Sequence, residues 1–245
     1  VAVRAAEGLI FRVFSDGRLY RTFQEGKPRH RGCLDDHAFL GQAFLDLHDT
    51  TSDDRWLEKA LEIDRILETY FEDRENGGFF MTASDHETLI AREKPSHDQA
   101  TPSGNSVSAM NLLRLYGKTG ETAFLERAEK TFRAFAEALK QNPHAFGDML
   151  LALDYYHGRQ REIVIVANQD EREKAEPFLD VLRLSFIPDK VVTLVCGEEE
   201  IAVFGELVPM VRDKTPVSHG VLAYVCEKGR CGLPCSRPGN ASWCA

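Results

Sequence analysis

Two short polar runs carry groups suited to acid–base work. Leu34-Asp-Asp-His-Ala-Phe39 sets two adjacent carboxyls and an imidazole at the mouth of an apolar segment. Pro102-Ser-Gly-Asn-Ser-Val107 sets two hydroxyls and an amide at the mouth of another. Two acids in different environments let one stay protonated while the other is ionised, as proton transfer on a sugar requires. Asp36 and Asp98 are therefore the catalytic candidates. Asp35, His37, Ser103, Asn105 and Ser106 are candidates for holding ligand hydroxyls, Arg92 for an anionic group, and His97 for contacting the ligand as a group that titrates near neutrality. Each has a plainer reading. Asp35, Ser103 and Asn105 are good caps or turn residues, and a cap needs no catalytic purpose. Asp36 also fits a buried, paired carboxylate, Arg92 and Lys94 a solvated charge pattern, and His97 a surface loop.

The elements that must position these groups are announced by an internal repeat. Residues 44–60 align without a gap on residues 112–128, at a constant offset of 68. Leu45 falls on Leu113, Leu47 on Leu115, Thr51 on Thr119, Trp56 on Phe124, Leu57 on Leu125 and Ala60 on Ala128. Repeated units of this kind bury apolar faces against neighbouring copies. Each copy reads as helix, turn, helix, with first helices expected over about 34–49 and 103–117. The first helices are apolar nearly all round, which asks for burial on both sides, whereas Trp56, Leu57, Ala60, Leu61, Ile63 and Leu67 leave the second helix one wet face. Alternation of buried and half-exposed helices predicts an inner ring wrapped by an outer one, a partial α/α toroid, with a third inner helix near 146–156. Under the same offset the two polar runs occupy corresponding helix N-termini, which gathers them on one rim with free N–H groups facing a ligand.

Between the copies, residues 76–94 read as two extended segments around a turn, a hairpin inserted in the helical part. Gly77-Gly-Phe-Phe80 there could lay aromatic faces on a sugar ring or serve as a core tag. After residue 159 the grammar changes. Ile163-Val-Ile-Val-Ala167, a helical stretch, then Val191-Val-Thr-Leu-Val195 read as a βαβ crossover, with a further strand at 221–225. The expected organisation is thus a helical part over 1–159 and a small α/β part with a parallel sheet over 160–245.

Composition narrows the function classes. The 245 residues carry 30 Lys+Arg against 39 Asp+Glu, a formal charge of −9, so nucleic acid and anionic membrane would be met by repulsion. No apolar run approaches the roughly 20 residues of a bilayer-spanning helix. The first residues show no signal peptide, and the missing initiator Met fits a processed product or a piece of something longer. Four of the six cysteines (Cys33, Cys196, Cys226, Cys231, Cys235 and Cys244) crowd the last 20 residues, which is no whole-chain disulfide framework and reads as a reducing, cytoplasmic setting. Their spacing departs from structural zinc sites; a Cys226–Cys231 redox pair is possible but lacks the C-x-x-C spacing. No metal set and no nucleotide or cofactor motif stands out.

Leu34-Asp-Asp-His-Ala-Phe39, Gly77-Gly-Phe-Phe80, the 98–106 stretch with Pro102-Ser-Gly-Asn-Ser106, and Ala223-Tyr-Val-Cys226 with Cys231 occur in this order. Together they resemble the C-terminal portion of the YyaL / spermatogenesis-associated thioredoxin-like family, from about Gly8 to Leu233. The resemblance implies a six-hairpin glycosidase-like toroid related to N-acylglucosamine 2-epimerases, of which this chain holds barely half the helices and no thioredoxin-like domain. It implies a sugar-like small molecule as ligand, with epimerase, isomerase or glycoside hydrolase chemistry if the protein is an enzyme. It also implies, as partners, a thioredoxin-like domain or the helices absent from this chain. His37 stands where the family has Tyr, His97 before Asp98 departs from its pattern, and the sequence after Pro234 leaves it. A non-enzymatic scaffold and an inactive truncated remnant are the other readings, and the last predicts exposed apolar surface.

Overall fold

The computed structural model describes residues 1–87, 90–158, 160–215, 217–227 and 230–238. The chain is mainly α-helical and divides into two compact units, residues 1–113 with 122–154, and residues 114–121 with 155–245.

The first unit opens with helix α1 (Ala2–Val13) and a three-stranded antiparallel meander of β1 (Phe14–Ser15), β2 (Arg18–Gln24) and β3 (Lys27–Arg31). Its two turns are Asp16-Gly17 and Glu25-Gly26, with positive φ at both residues of each pair (53° and 67°, 51° and 75°), the backbone twist that two-residue hairpins need. Helices α2 (Leu34–Thr51) and α3 (Asp54–Tyr70) follow. Cys33 caps α2 and Asp53 caps α3, the Asp53 side chain accepting from the Arg55 N–H at 3.2 Å. Phe44 and Trp56 stack across the pair with ring centroids 5.8 Å apart, and Leu45 and Leu57 are fully buried. The second copy gives α4 (Gly104–Thr119) and α5 (Thr122–Gln141), with Phe124 and Ala128 buried at the places of Trp56 and Ala60. A further helix, α6 (Gly147–His157), stands at the third expected position.

Helices α2 and α4 approach closely. Gly41 presents no side chain to α4, and Asn111 reaches across to donate to the Ala38 carbonyl at 2.8 Å. Helices α3 and α5 are joined by charge instead. The Arg127 guanidinium grips Asp64 with two nitrogens at 2.7 and 3.1 Å and Glu72 with a third at 2.8 Å, all three side chains being nearly buried. A planar fork can satisfy two carboxylates at once in a way an ammonium cannot.

The expected hairpin at 76–94 does not form as a ladder. Among the described residues the segment pairs back onto the end of α3 instead, through a bridge between Glu72 and Phe79 and bonds from the Phe80 N–H to the Phe71 carbonyl and from the Asp73 N–H to the Gly78 carbonyl. Within it the Met81 N–H bonds the Glu93 carbonyl, while Thr88 and Leu89 lie outside the described residues. Side chains hold this segment where strand pairing does not. Lys94 bonds Asp73 and the Gly77 carbonyl at 2.7 and 3.0 Å, and Arg92 bonds the carbonyls of Tyr70 and Thr82. The Lys94 ammonium holds the Asp73 carboxyl well below the usual carboxylate range.

In the second unit β4 (Arg161–Ala167), α7 (Glu176–Leu184) and β5 (Lys190–Cys196) form the βαβ crossover, β4 and β5 running parallel with Ile163 opposite Val192. The sheet as a whole is mixed, not parallel. After helix α8 (Gly197–Leu207), β6 (Val221–Glu227) returns antiparallel on the other side of β4, and β7 (Arg230–Cys231) closes the order β5-β4-β6-β7. A buried β-branched run specifies a central strand but carries no direction; the connection decides that. Ile163, Ile165, Phe178, Leu182, Val192 and Leu194 form the core of this layer. No helix among the described residues is long and apolar enough to cross a membrane.

Removing one member of a buried ion network leaves the others uncompensated. Arg127→Met is expected to lower stability by about 3–5 kcal/mol at neutral pH, read from urea denaturation, with the loss shrinking as acid neutralises Asp64 and Glu72.

Candidate functional site

The first turn of α2 and the first turn of α4 lie against each other. Gly104 packs so tightly on residues 34–35 that a Cβ there would overlap Asp35 Oδ1 and come within 2.6 Å of Leu34 Cγ. The two polar runs thus meet, as equivalent helix ends of a repeat should.

Beside this junction is a cavity of about 380 Å³ whose wall includes Leu9 and Val13 of α1, Tyr20 and Arg21 of β2, and Asp35 and Asp36 of α2. Phe39 and Thr101 also line it. The two carboxyls stand in different surroundings. Asp35 Oδ1 is buried and accepts no hydrogen bond of good geometry. Burial pushes the Asp35 carboxyl above its ordinary value, against the pull of the Gly104 amide, and the neighbouring Asp36 adds to the rise. Asp36 is anchored on both oxygens: Oδ2 accepts from the Cys33 N–H at 2.8 Å in a capping box, and Oδ1 pairs with Arg21 at 3.6 Å. A carboxyl raised by burial therefore sits next to an oriented one.

The other candidate residues are spoken for by the fold, except that His37 Nε2 is buried without a partner and His97 is exposed. Asp98 Oδ1 accepts from the Ser103 N–H at 2.8 Å and the Ser106 hydroxyl at 3.0 Å, while its Oδ2 accepts from the Asp148 N–H at 2.8 Å. One carboxylate thus ties the starts of α4 and α6. The Ser103 and Ser106 hydroxyls are buried and 2.8 Å apart, and Ser103 Oγ accepts from the Ser106 N–H, an N-cap. Asn105, wholly buried, exchanges two bonds with the Phe79 backbone and donates to the Pro95 carbonyl. Phe79 itself is core, and Phe80 lies under the Arg92 guanidinium at 4.1 Å. His37 is 1% exposed, its Nδ1 2.8 Å from the Cys33 carbonyl and its ring 4.8 Å from Phe71. Burial pushes this imidazole down, so it is neutral at neutral pH. His97 is exposed against Phe146, its Nδ1 3.1 Å from the Ser96 hydroxyl.

Of the residues singled out in the sequence, Asp35 and Asp36 line the cavity, and the 103–106 corner adjoins it through Gly104. The sequence reading missed Tyr20, Arg21 and the α1 residues Leu9 and Val13. Their signal was present in Asp16-Gly17 and Glu25-Gly26, two turn dipeptides nine residues apart that bracket a short strand.

The sequence finds counterparts among known proteins. This chain is similar to spermatogenesis-associated protein 20. The rat and human proteins of that name are each 31% identical over 233 residues, which are 91% of this chain and 29% of theirs. An uncharacterized protein of Caenorhabditis elegans is 28% identical over 225 residues, 89% of this chain and 28% of its own length. The chain therefore spans under a third of the length of these relatives. No protein-family model matches it.

Because the folded state favours the neutral form of Asp35, its contribution to stability is full below the ordinary value of 3.8 and is lost as pH rises through the raised one. Asp35→Asn removes that loss, so its stability relative to wild type is expected to climb with pH across this window, in urea denaturation at several pH values. Gly104→Ala is expected to cost about 1–3 kcal/mol by overpacking the same junction, read as a lowered denaturation midpoint.

Proposed function

We propose that the cavity at the start of α2 binds a sugar-like, polyhydroxylated small molecule and that Asp35 and Asp36 do acid–base work on it. The observation that carries this reading is the unpartnered, buried oxygen of Asp35 beside an anchored Asp36. Asp35 serves as the protonated donor and Asp36 as the carboxylate acceptor, oriented by Arg21 and the Cys33 amide. Tyr20 and Phe39 supply faces for the apolar side of a pyranose ring, and the cavity volume suits one such ring. Asp98, Ser103 and Ser106 act one step back, fixing the α4 end against which Asp35 rests.

In this reading the chain is the C-terminal part of a larger protein of the YyaL / spermatogenesis-associated thioredoxin-like family, and its paired helix hairpins are a portion of an α/α toroid. The 68-residue repeat and the burial of α4 along most of its length, beside amphipathic α3 and α5, support it. Epimerisation and glycoside hydrolysis are the two reactions such a carboxyl pair serves. A scaffold reading, in which the helical part docks a thioredoxin-like domain, is favoured by one observation: Leu9 and Phe11 of α1 are 47% and 87% exposed.

Titration calorimetry with a panel of neutral hexoses and N-acylated hexosamines tests the proposal. At least one sugar is expected to bind, and Asp35→Asn and Asp36→Asn should each weaken it about tenfold or more, the scale of a hydrogen bond to a charged or buried group. Absence of sugar binding, or two variants that bind as wild type does, overturns it.

A further inference from the structure

The second unit holds a cavity of about 560 Å³, and its wall carries Glu162, Lys214, Tyr224 and Cys231. Cys226 on β6 and Cys231 on β7 stand opposite each other in the ladder and are joined by a disulfide. The pair is bridged although its spacing departs from C-x-x-C. The two sulfurs are unequal: Cys226 is 1% exposed, whereas Cys231 is open to solvent.

Lys214 sits against this bond. Its Nζ lies 3.0 Å from Cys231 Sγ and 3.8 Å from Cys226 Sγ, and the residue is only 9% exposed. Among the described residues these sulfurs are the only hydrogen-bonding partners of the ammonium, with the Tyr224 ring 5.1 Å away. Glu162 occupies the β4 position directly across from Cys226, half-buried. A disulfide sulfur is a weak acceptor, while a thiolate beside an ammonium makes a strong charge-assisted pair. The Asp213 and Glu162 carboxylates act on the Lys214 charge from nearby, but its hydrogen-bonding partners are the two sulfurs, and that pairing strengthens once the bond is broken. That is an arrangement for cleaving the bond, not for keeping it inert.

We propose that Cys226 and Cys231 form a thiol–disulfide exchange centre in which an external thiolate attacks the exposed Cys231 sulfur and Cys226 leaves as a thiolate held by Lys214. In the first step the incoming sulfur bonds to Cys231, the Cys226–Cys231 bond breaks, and its electron pair stays on Cys226. With a dithiol reductant, its second thiolate then attacks its own sulfur in the mixed disulfide and releases Cys231. The dithiol ends as a disulfide, having given two electrons, and its two protons are divided between the released cysteines and solvent. Lys214 can pair with one thiolate, so one cysteine of the reduced pair stays ionised and the other becomes a thiol. Oxidation by a disulfide runs the same steps in reverse.

The test is made on the whole chain. Air-oxidised protein is treated with limiting glutathione, free thiols are blocked with iodoacetamide, and the peptides are read by mass spectrometry. Glutathione is expected on Cys231 and the alkyl group on Cys226; the opposite distribution overturns the proposal, and so does a disulfide found between any other pair. Reduction by dithiothreitol, followed by the same blocking, should be about fivefold or more slower in Lys214→Met and near the wild-type rate in Lys214→Arg, which keeps the charge. Equal rates in all three, with unchanged circular dichroism, remove Lys214 from the centre. Should Lys214→Met not fold, the glutathione distribution in the wild-type protein decides alone.

Discussion

The candidate site depends on a side chain that is not there. With only hydrogen at residue 104, the first turn of α4 can lie directly on the first turn of α2, and any larger residue would overlap the Asp35 carboxyl. That contact desolvates Asp35, leaves Oδ1 without a partner and separates its behaviour from that of Asp36 one residue on. Everything around it serves to hold the contact: Asp98 fastens the start of α4 to that of α6, and Asn105 fastens the same turn to the Phe79 backbone. A close approach of this sort is a packing constraint first and an electrostatic one second.

The helical framework was legible because the sequence states it twice. A gapless offset of 68 residues located two helix pairs. The apolar spacing marked α4 correctly as buried, whereas α2, read as buried on both sides, keeps a wet edge at Ala43, Asp46 and Thr50. The βαβ crossover was legible for a similar reason, since β-branched runs at that spacing have few alternatives. The direction of β6 was not, because its residues pack equally well either way and the choice lies in the connection. The stretch over 76–94 was misjudged because its order comes from distant side chains, Asn105 above all, and long-range partners leave no trace in local periodicity.

At the site, residue type was legible and employment was not. Asp98, Ser103, Ser106 and Asn105 have the chemistry of ligand contacts, but each is committed to a backbone group or to another member of the set. Helix N-termini attract the same residue types for capping as for catalysis, so sequence alone cannot divide the two uses. What divides them is the count of unsatisfied atoms, and by that count Asp35 Oδ1 and His37 Nε2 stand apart from the other candidates. The cavity wall from β2 was not legible because the first thirty residues lie outside the repeat and carry only turn dipeptides as a local sign.

The Arg127 network also bears on how the chain assembles. At the matching position of the first copy stands Lys59, which makes only a half-exposed bond to Glu62 at 2.7 Å. The duplicated hairpins are therefore chemically marked as left and right. A chain that docked either hairpin against the wrong mate, within one molecule or between two, would strand Asp64 and Glu72 in a dry interior with no cation to meet them. The duplication supplies two nearly interchangeable building blocks; a single guanidinium makes their order unambiguous.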